Sequence, residues 1–178
     1  MTRKSDGLFV FLATGLGLSG IPARLTARFS SSGTHQSLHD RKVTGAGLIG
    51  SIEGAITYLL LPAAVARSVW APIVGIVLSA WISGRAETAL NSHDDSRIVI
   101  DEWVGVWIAL WGLEQRIGST FLLAFVLFRI FDVMKGPLGR GLQRISGGWG
   151  ITADDVYAGL AANVVWRFSV EMVHRFAP

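Results

Sequence analysis

Asp101 and Glu102 stand side by side in IVIDEWVGVWIALWG, an otherwise apolar run from Ile98 to Gly112. Taking an ionised carboxylate out of water is costly unless it is paired, hydrogen-bonded or bound to a cation. Three further groups repeat the anomaly. Glu87, His93, Asp94 and Asp95 gather around a polar turn, Arg129, Asp132 and Lys135 sit in FRIFDVMKGPLG, and Asp154 and Asp155 sit in GGWGITADDVYAG. On a helix, Arg129 and Asp132 share a face, as do Asp132 and Lys135, because each pair is three residues apart. Asp101, Asp132 and Asp155 each have a glycine one turn on, Gly105, Gly136 and Gly159. Such a glycine leaves room for a ligand or another backbone.

Acids carried on separate apolar helices repel one another when they converge. A divalent cation at the meeting point makes the convergence tolerable, and an all-oxygen donor set suits Mg²⁺. Mg²⁺ keeps part of its water shell and commonly binds together with substrate phosphate, so phosphate chemistry is the expected class. The expected acidic centre is Asp101, Glu102, Asp132 and Asp155, with Asp154 beside them as a further metal ligand. Arg129 and Lys135 would neutralise phosphoryl oxygens, Arg129 through its two-pronged fork. Gly147 and Gly148 could offer backbone N–H groups to the same oxygens.

Each group also has a plainer reading. Asp154 and Asp155 suit the first turn of a helix as dipole partners, with Thr152 capping. Arg129 and Asp132 suit an intrahelical ion pair, Glu87 a solvated helix face, and His93, Asp94 and Asp95 a turn. For Asp101 and Glu102 the plain reading is weakest, since Arg97 is the only basic residue within a turn. The seven tryptophans read as core and interfacial anchors.

The elements that must position these groups read as helices throughout. The chain of 178 residues is 51% hydrophobic and 16% charged, against roughly 25% charged in an ordinary soluble domain. Its mean hydropathy is +0.46. That balance points to a chain embedded in, or lying against, a membrane. The net charge of +3 is too diffuse for a nucleic-acid groove and suits anionic lipid. Without cysteine there is no disulfide and no thiolate chemistry. Helices are expected near 5–13, 49–66, 70–91, 98–114, 117–134 and 152–174, with Pro62 and Pro72 kinking or ending theirs. Ser68 to Gly84 is uncharged for 17 residues, at the short end for a span. No segment is an unambiguous crossing, so short apolar helices around a polar centre fit better. Arg3 and Lys4 precede too short an apolar stretch for a leader peptide. Residues 23–44 form a basic, serine-rich loop suited to anionic headgroups, in which His35 and His39 are not expected to bind metal.

In HDDSRIVIDEWVGVWIAL, FRIFDVMKGPLG and GGWGITADDVYAGLAAN, taken in that order, the chain resembles the phosphatidylglycerophosphatase A family. An amino-terminal glycine pattern of that family is partly kept, in LATGLGLSGIP and in GAGLIGS. The latter retains Gly47, Gly50 and Ser51 but has Ala46 and Leu48 where proline and threonine are usual. The resemblance implies one all-α domain over 1–178, a bundle of about six or seven helices with one central helix surrounded by the others. It implies Mg²⁺-dependent removal of the terminal phosphate of phosphatidylglycerophosphate, giving phosphatidylglycerol. It places the protein in a bacterial cytoplasmic membrane with its active site on the cytoplasmic side and a phospholipid as partner. Asp101, Glu102, Asp132, Lys135 and Arg129 become the catalytic candidates. Asp101, Glu102, Asp132, Asp154 and Asp155 become the metal ligands, and Gly147, Gly148, Ser51, Gly50 and Asp94 the substrate contacts. Nucleic acid is not expected, and self-association is left open. What the sequence lacks agrees with metal-assisted hydrolysis: it has no cysteine nucleophile, no Asp-x-Asp and no Arg-Pro pair. Two other readings stay open: a small ion- or proton-coupled membrane transporter, and a relative that has lost catalysis through its altered glycine loop.

Overall fold

Prolines and left-handed residues punctuate the chain. The computed structural model describes residues 4–21, 45–92, 95–114, 117–134, 141–142 and 145–176. The loop 23–44, with His35 and His39, lies outside them, as do His93, Asp94, Lys135 and Gly136. Among the described residues seven α-helices are bounded: α1 (Lys4–Ala13), α2 (Ala46–Leu60), α3 (Ala63–Arg67), α4 (Trp70–Leu90), α5 (Ile100–Leu110), α6 (Ser119–Met134) and α7 (Gly148–Phe176). A short 3₁₀ turn, Leu18–Gly20, follows α1, and no strand occurs among the described residues. The all-α expectation holds.

Pro62 separates α2 from α3, as expected: Leu61 before it is extended, at φ −62° and ψ 140°. Pro72 does not break its helix. It falls in the first turn of α4, where its missing N–H would have had no partner. The expected start of the last helix at Thr152 is also corrected. Gly147, at φ +75°, precedes a helix that begins at Gly148, and the Thr152 hydroxyl instead bonds Ser79 on α4 at 3.0 Å.

α5 is the central helix, with α2, α4, α6 and α7 all packed on it. Seven of its eleven residues are buried, so polar groups on it must find partners inside the protein. α2 and α5 run in the same direction, tied by Trp103 to Glu53, Trp107 to Gly54 and Thr57, and Tyr58 to Leu110. Glycine sets how close they come: a methyl at Gly54 would stand 2.7 Å from the Trp103 Cα. α5 and α7 meet backbone to backbone at Gly105 and Gly159. A methyl at Gly105 would lie 2.5 Å from Phe128 and 2.9 Å from the Asp155 carbonyl oxygen. The glycines one turn from Asp101 and Asp155 thus admit another backbone.

The carboxyl end of α5 is capped mainly by α7. The Asn163 amide donates to the carbonyls of Ile108, Ala109 and Trp111 at 2.9–3.1 Å. The Trp166 indole bonds Ala109, and Arg167 bonds Trp111. Around this end lies the main core, with Val106, Ala109, Leu110, Ala124, Phe128 and Ala162.

α4 is 21 residues long and apolar enough to cross a membrane, by length and composition alone. It continues past the uncharged run through Arg85 and Glu87. Its outer face exposes Trp70, Ile73, Val77 and Trp81, a larger apolar strip than water-facing helices usually show.

Candidate active site

Four helices bring the acidic groups together. Asp101 and Glu102 occupy the first turn of α5, Arg129 and Asp132 the last turns of α6, and Asp154 and Asp155 the second turn of α7. α2 adds Gly47 and Ser51. Asp101, Asp132, Asp154 and Asp155 are all buried, Asp155 to 2% exposure. Because α7 begins at Gly148, Asp154 and Asp155 are not first-turn dipole partners. The plain explanation for them is therefore removed.

Arg129 is the hub. Its Nη1 donates to Asp132 Oδ2 at 2.7 Å, to Ser51 Oγ at 2.9 Å and to Glu102 Oε2 at 3.2 Å. Ser51 Oγ lies 2.7 Å from the same Glu102 oxygen and 2.9 Å from the Gly47 carbonyl, with one proton to give. Gly47 leaves the space that the Glu102 carboxylate fills. One guanidinium thus ties three helices, and the intrahelical pair with Asp132 is one strand of a wider network. Arg97, the nearest base in sequence, turns away and forks onto Asp95 at 2.7 and 2.8 Å.

The acids also act on one another. Burial, then Asp101, push the Glu102 carboxyl well above its ordinary range, with Arg129 and Ser51 pulling the other way. Burial, then Asp101, Asp132, Asp154 and Glu102, push Asp155 well above its own. Asp155 Oδ1 is buried without a hydrogen-bond partner among the described residues. The first turn of α5 favours negative charge at Asp101 and Glu102 through its exposed N–H groups, which offsets part of the repulsion. Among the described residues no three acids form a ready-made ion cage.

The other sequence candidates fall in different places. Ser51 is in the network. Gly50 packs on Val99, and Gly148 packs on the α4 backbone at Ala80 and Gly84, so close packing accounts for both. Gly147 supplies the left-handed turn before α7. Lys135 and Asp94 lie outside the described residues. The amino-terminal glycine segment docks beside the site: Val99 N–H bonds the Ala13 carbonyl at 2.7 Å and Ser19 Oγ the Arg97 carbonyl at 2.8 Å. Sequence reasoning passed over Glu53. Its Oε2 accepts from the Trp103 indole at 3.1 Å, its carboxylate fills the space beside Gly15, and burial raises its pKa. Its position two residues after Ser51, inside an apolar helix, was the available signal.

Comparison with known proteins agrees with this geometry. A family model described as Phosphatidylglycerophosphatase A matches residues 34–170. A Bacteroides thetaiotaomicron protein named "Putative phosphatidylinositol-3-phosphatase" is 38% identical over 124 residues, 66% of this chain and 76% of that protein. A Haemophilus influenzae phosphatidylglycerophosphatase A is 32% identical over 129 residues, 72% of this chain and 78% of that one. An Escherichia coli phosphatidylglycerophosphatase A is 31% identical over 97 residues, 54% and 56% of the two chains. No solved structure matches. With buried acids gathered from three helices, two of them tied by one arginine, and a family match over most of its length, the chain belongs to the phosphatidylglycerophosphatase A family, whose members are phosphatases.

Proposed function

We propose that this protein is a Mg²⁺-dependent lipid phosphatase that hydrolyses the terminal phosphomonoester of phosphatidylglycerophosphate. The observation that carries the reading is the convergence of Asp101, Glu102, Asp132 and Asp155 from α5, α6 and α7, with Arg129 bonded to Glu102 and Asp132. The residues fit Mg²⁺. They are oxygen donors only, the Asp155 Oδ1 atom is buried without a hydrogen bond among the described residues, and a further positive charge would relieve the repulsion. Mg²⁺ binds through one or two carboxylates, retained waters and substrate phosphate, so it does not require a protein cage of three acids. Asp101 and Asp155 would hold it, with Glu102, Asp132 and Asp154 within the same centre. When bound it supplies Lewis-acid polarisation of the phosphoryl group.

This chain's own residues do the rest. Arg129 stabilises charge on the phosphoryl oxygens, held in place by Asp132, Ser51 and Glu102. One buried carboxylate takes a proton from the attacking water. The water oxygen bonds to phosphorus, the bond from phosphorus to the glycerol oxygen breaks, and that oxygen is protonated. Phosphatidylglycerol and inorganic phosphate result. Lys135 is a second candidate for neutralising the leaving phosphate. The apolar face of α4 supports action at a membrane, and the phosphorylated head suits the cytoplasmic side of a bacterial inner membrane. The name of the Bacteroides relative favours a second substrate, phosphatidylinositol 3-phosphate. Family membership sets the transporter reading aside.

A phosphate-release panel tests the proposal. It covers phosphatidylglycerophosphate, phosphatidylinositol 3-phosphate and soluble phosphomonoesters, with Mg²⁺ or chelator. Release from phosphatidylglycerophosphate that stops with chelator is expected. Metal binding without release from any lipid phosphate would overturn the assignment and identify a relative that has lost catalysis.

A further inference from the structure

A cavity of about 830 Å³ opens between α2, α3, α4 and α5. No charged residue lines it. Its walls are apolar side chains such as Val74, Leu78, Ile82, Ile100 and Val104, with the rings of Trp103 and Trp107. The polar side chains in the wall already have partners. Thr57 Oγ1 bonds the Gly54 carbonyl and accepts from Trp107, Ser79 bonds Thr152, and Ser68 accepts from Trp70 N–H. The Trp103 and Trp107 indole N–H groups turn away onto α2, and the third tryptophan of the wall, Trp70, is exposed at one end. The groove therefore offers water very little and an apolar ligand a great deal.

Its length and position name the occupant. Along α4 the wall runs from Trp70 to Ile82, about 18 Å at helical rise, the scale of an extended long acyl chain. One end lies within a turn of both acid pairs. Ile100 and Trp103 flank Asp101 and Glu102, and Ser79 bonds Thr152, three residues before Asp155. We infer that one acyl chain of the lipid substrate leaves the bilayer and lies in this groove while its phosphorylated head reaches the acids. The inference rests on the lipid-phosphatase reading.

Two measurements on the full chain test it. The first uses a phosphatidylglycerophosphate carrying a diazirine at mid-chain, in phosphatidylcholine vesicles, with a phosphatidylcholine bearing the same chain as control. Label at Val74, Leu78 or Trp107, displaced by unlabelled phosphatidylglycerophosphate, is expected. Equal labelling from both lipids, label confined to the outer face at Val77 and Trp81, or cross-linked dimers covering the groove would each overturn it. The second compares kcat/KM for long-chain and dihexanoyl substrates. Ala71→Trp fills the groove and should lower the long-to-short ratio about tenfold or more, since several buried methylenes are displaced. Ala64→Trp, on the exposed rim, is the second variant should Ala71→Trp fail to fold. Val77→Trp, outside the groove, should leave the ratio alone. An unchanged ratio in the groove variants sinks the inference while leaving the phosphatase intact. Failure of the phosphatase reading shows instead as no phosphate from either chain length, and the labelling still decides the groove.

Discussion

The two ends of α5 are built on opposite principles. At the carboxyl end, Asn163, Trp166, Arg167 and Tyr58 meet every carbonyl from Ile108 to Trp111 that the bundle covers. At the amino end, Asp101 and Glu102 face Asp132, Asp154 and Asp155 with, among the described residues, the Arg129 guanidinium beside Glu102 and Asp132. Both ends are buried and both belong to the same eleven-residue helix. The satisfied end holds the fold. The other gathers mutually repelling carboxyls, which folding alone would not favour and which a bound cation and phosphate would use.

The sharpest way to break this comparison is Asp155→Asn. Phosphate release should fall at least about a hundredfold. The thermal midpoint of the metal-free protein at pH 8 should rise by roughly a few degrees, because a buried carboxyl that resists ionisation is replaced by a neutral amide. A fall in both would mean that the amino end is structural after all. Arg129→Ala should abolish activity and destabilise by about 3 kcal/mol, since Glu102 and Asp132 lose their counter-charge; urea unfolding reads it. Asn163→Ala tests the other end. It should cost about 2 kcal/mol in unfolding free energy through unpaired carbonyls, with kcat/KM unchanged. The smallest effect belongs to Glu53→Gln. Burial holds the folded pKa of Glu53 above its unfolded value, so the folded state binds more protons between the two and stability falls as pH rises through that window. The glutamine variant lacks this fall. Its midpoint should match wild type near pH 4 and exceed it slightly at pH 8, as followed by circular dichroism.

The acidic end was legible in the sequence because charge inside apolar helices contradicts its surroundings. Asp101, Glu102, Arg129, Asp132, Asp154 and Asp155 could be named that way, and the structure brings them together. The capped end was not legible. Asn163 looks like any polar residue on a long helix until α5 ends beside it. Pro72 misled although the helix was expected from residue 70, because a proline in a first turn lacks only an N–H that has no helical partner there. Thr152 misled because its capping signature was complete, yet a partner on another helix claimed the hydroxyl. The groove was invisible for a similar reason: small and apolar residues on four helices enclose it only after assembly.

Where Gly105 crosses Gly159, main chain touches main chain one turn from Asp101 and Asp155. The gauge between those two acids is thus cut in peptide rather than in interchangeable side chains. Evolution can exchange methyl groups around Val106 or Phe128 and loosen the bundle without stretching that gauge. The two glycines are the positions where drift would be felt first, as a change in the spacing of those acids.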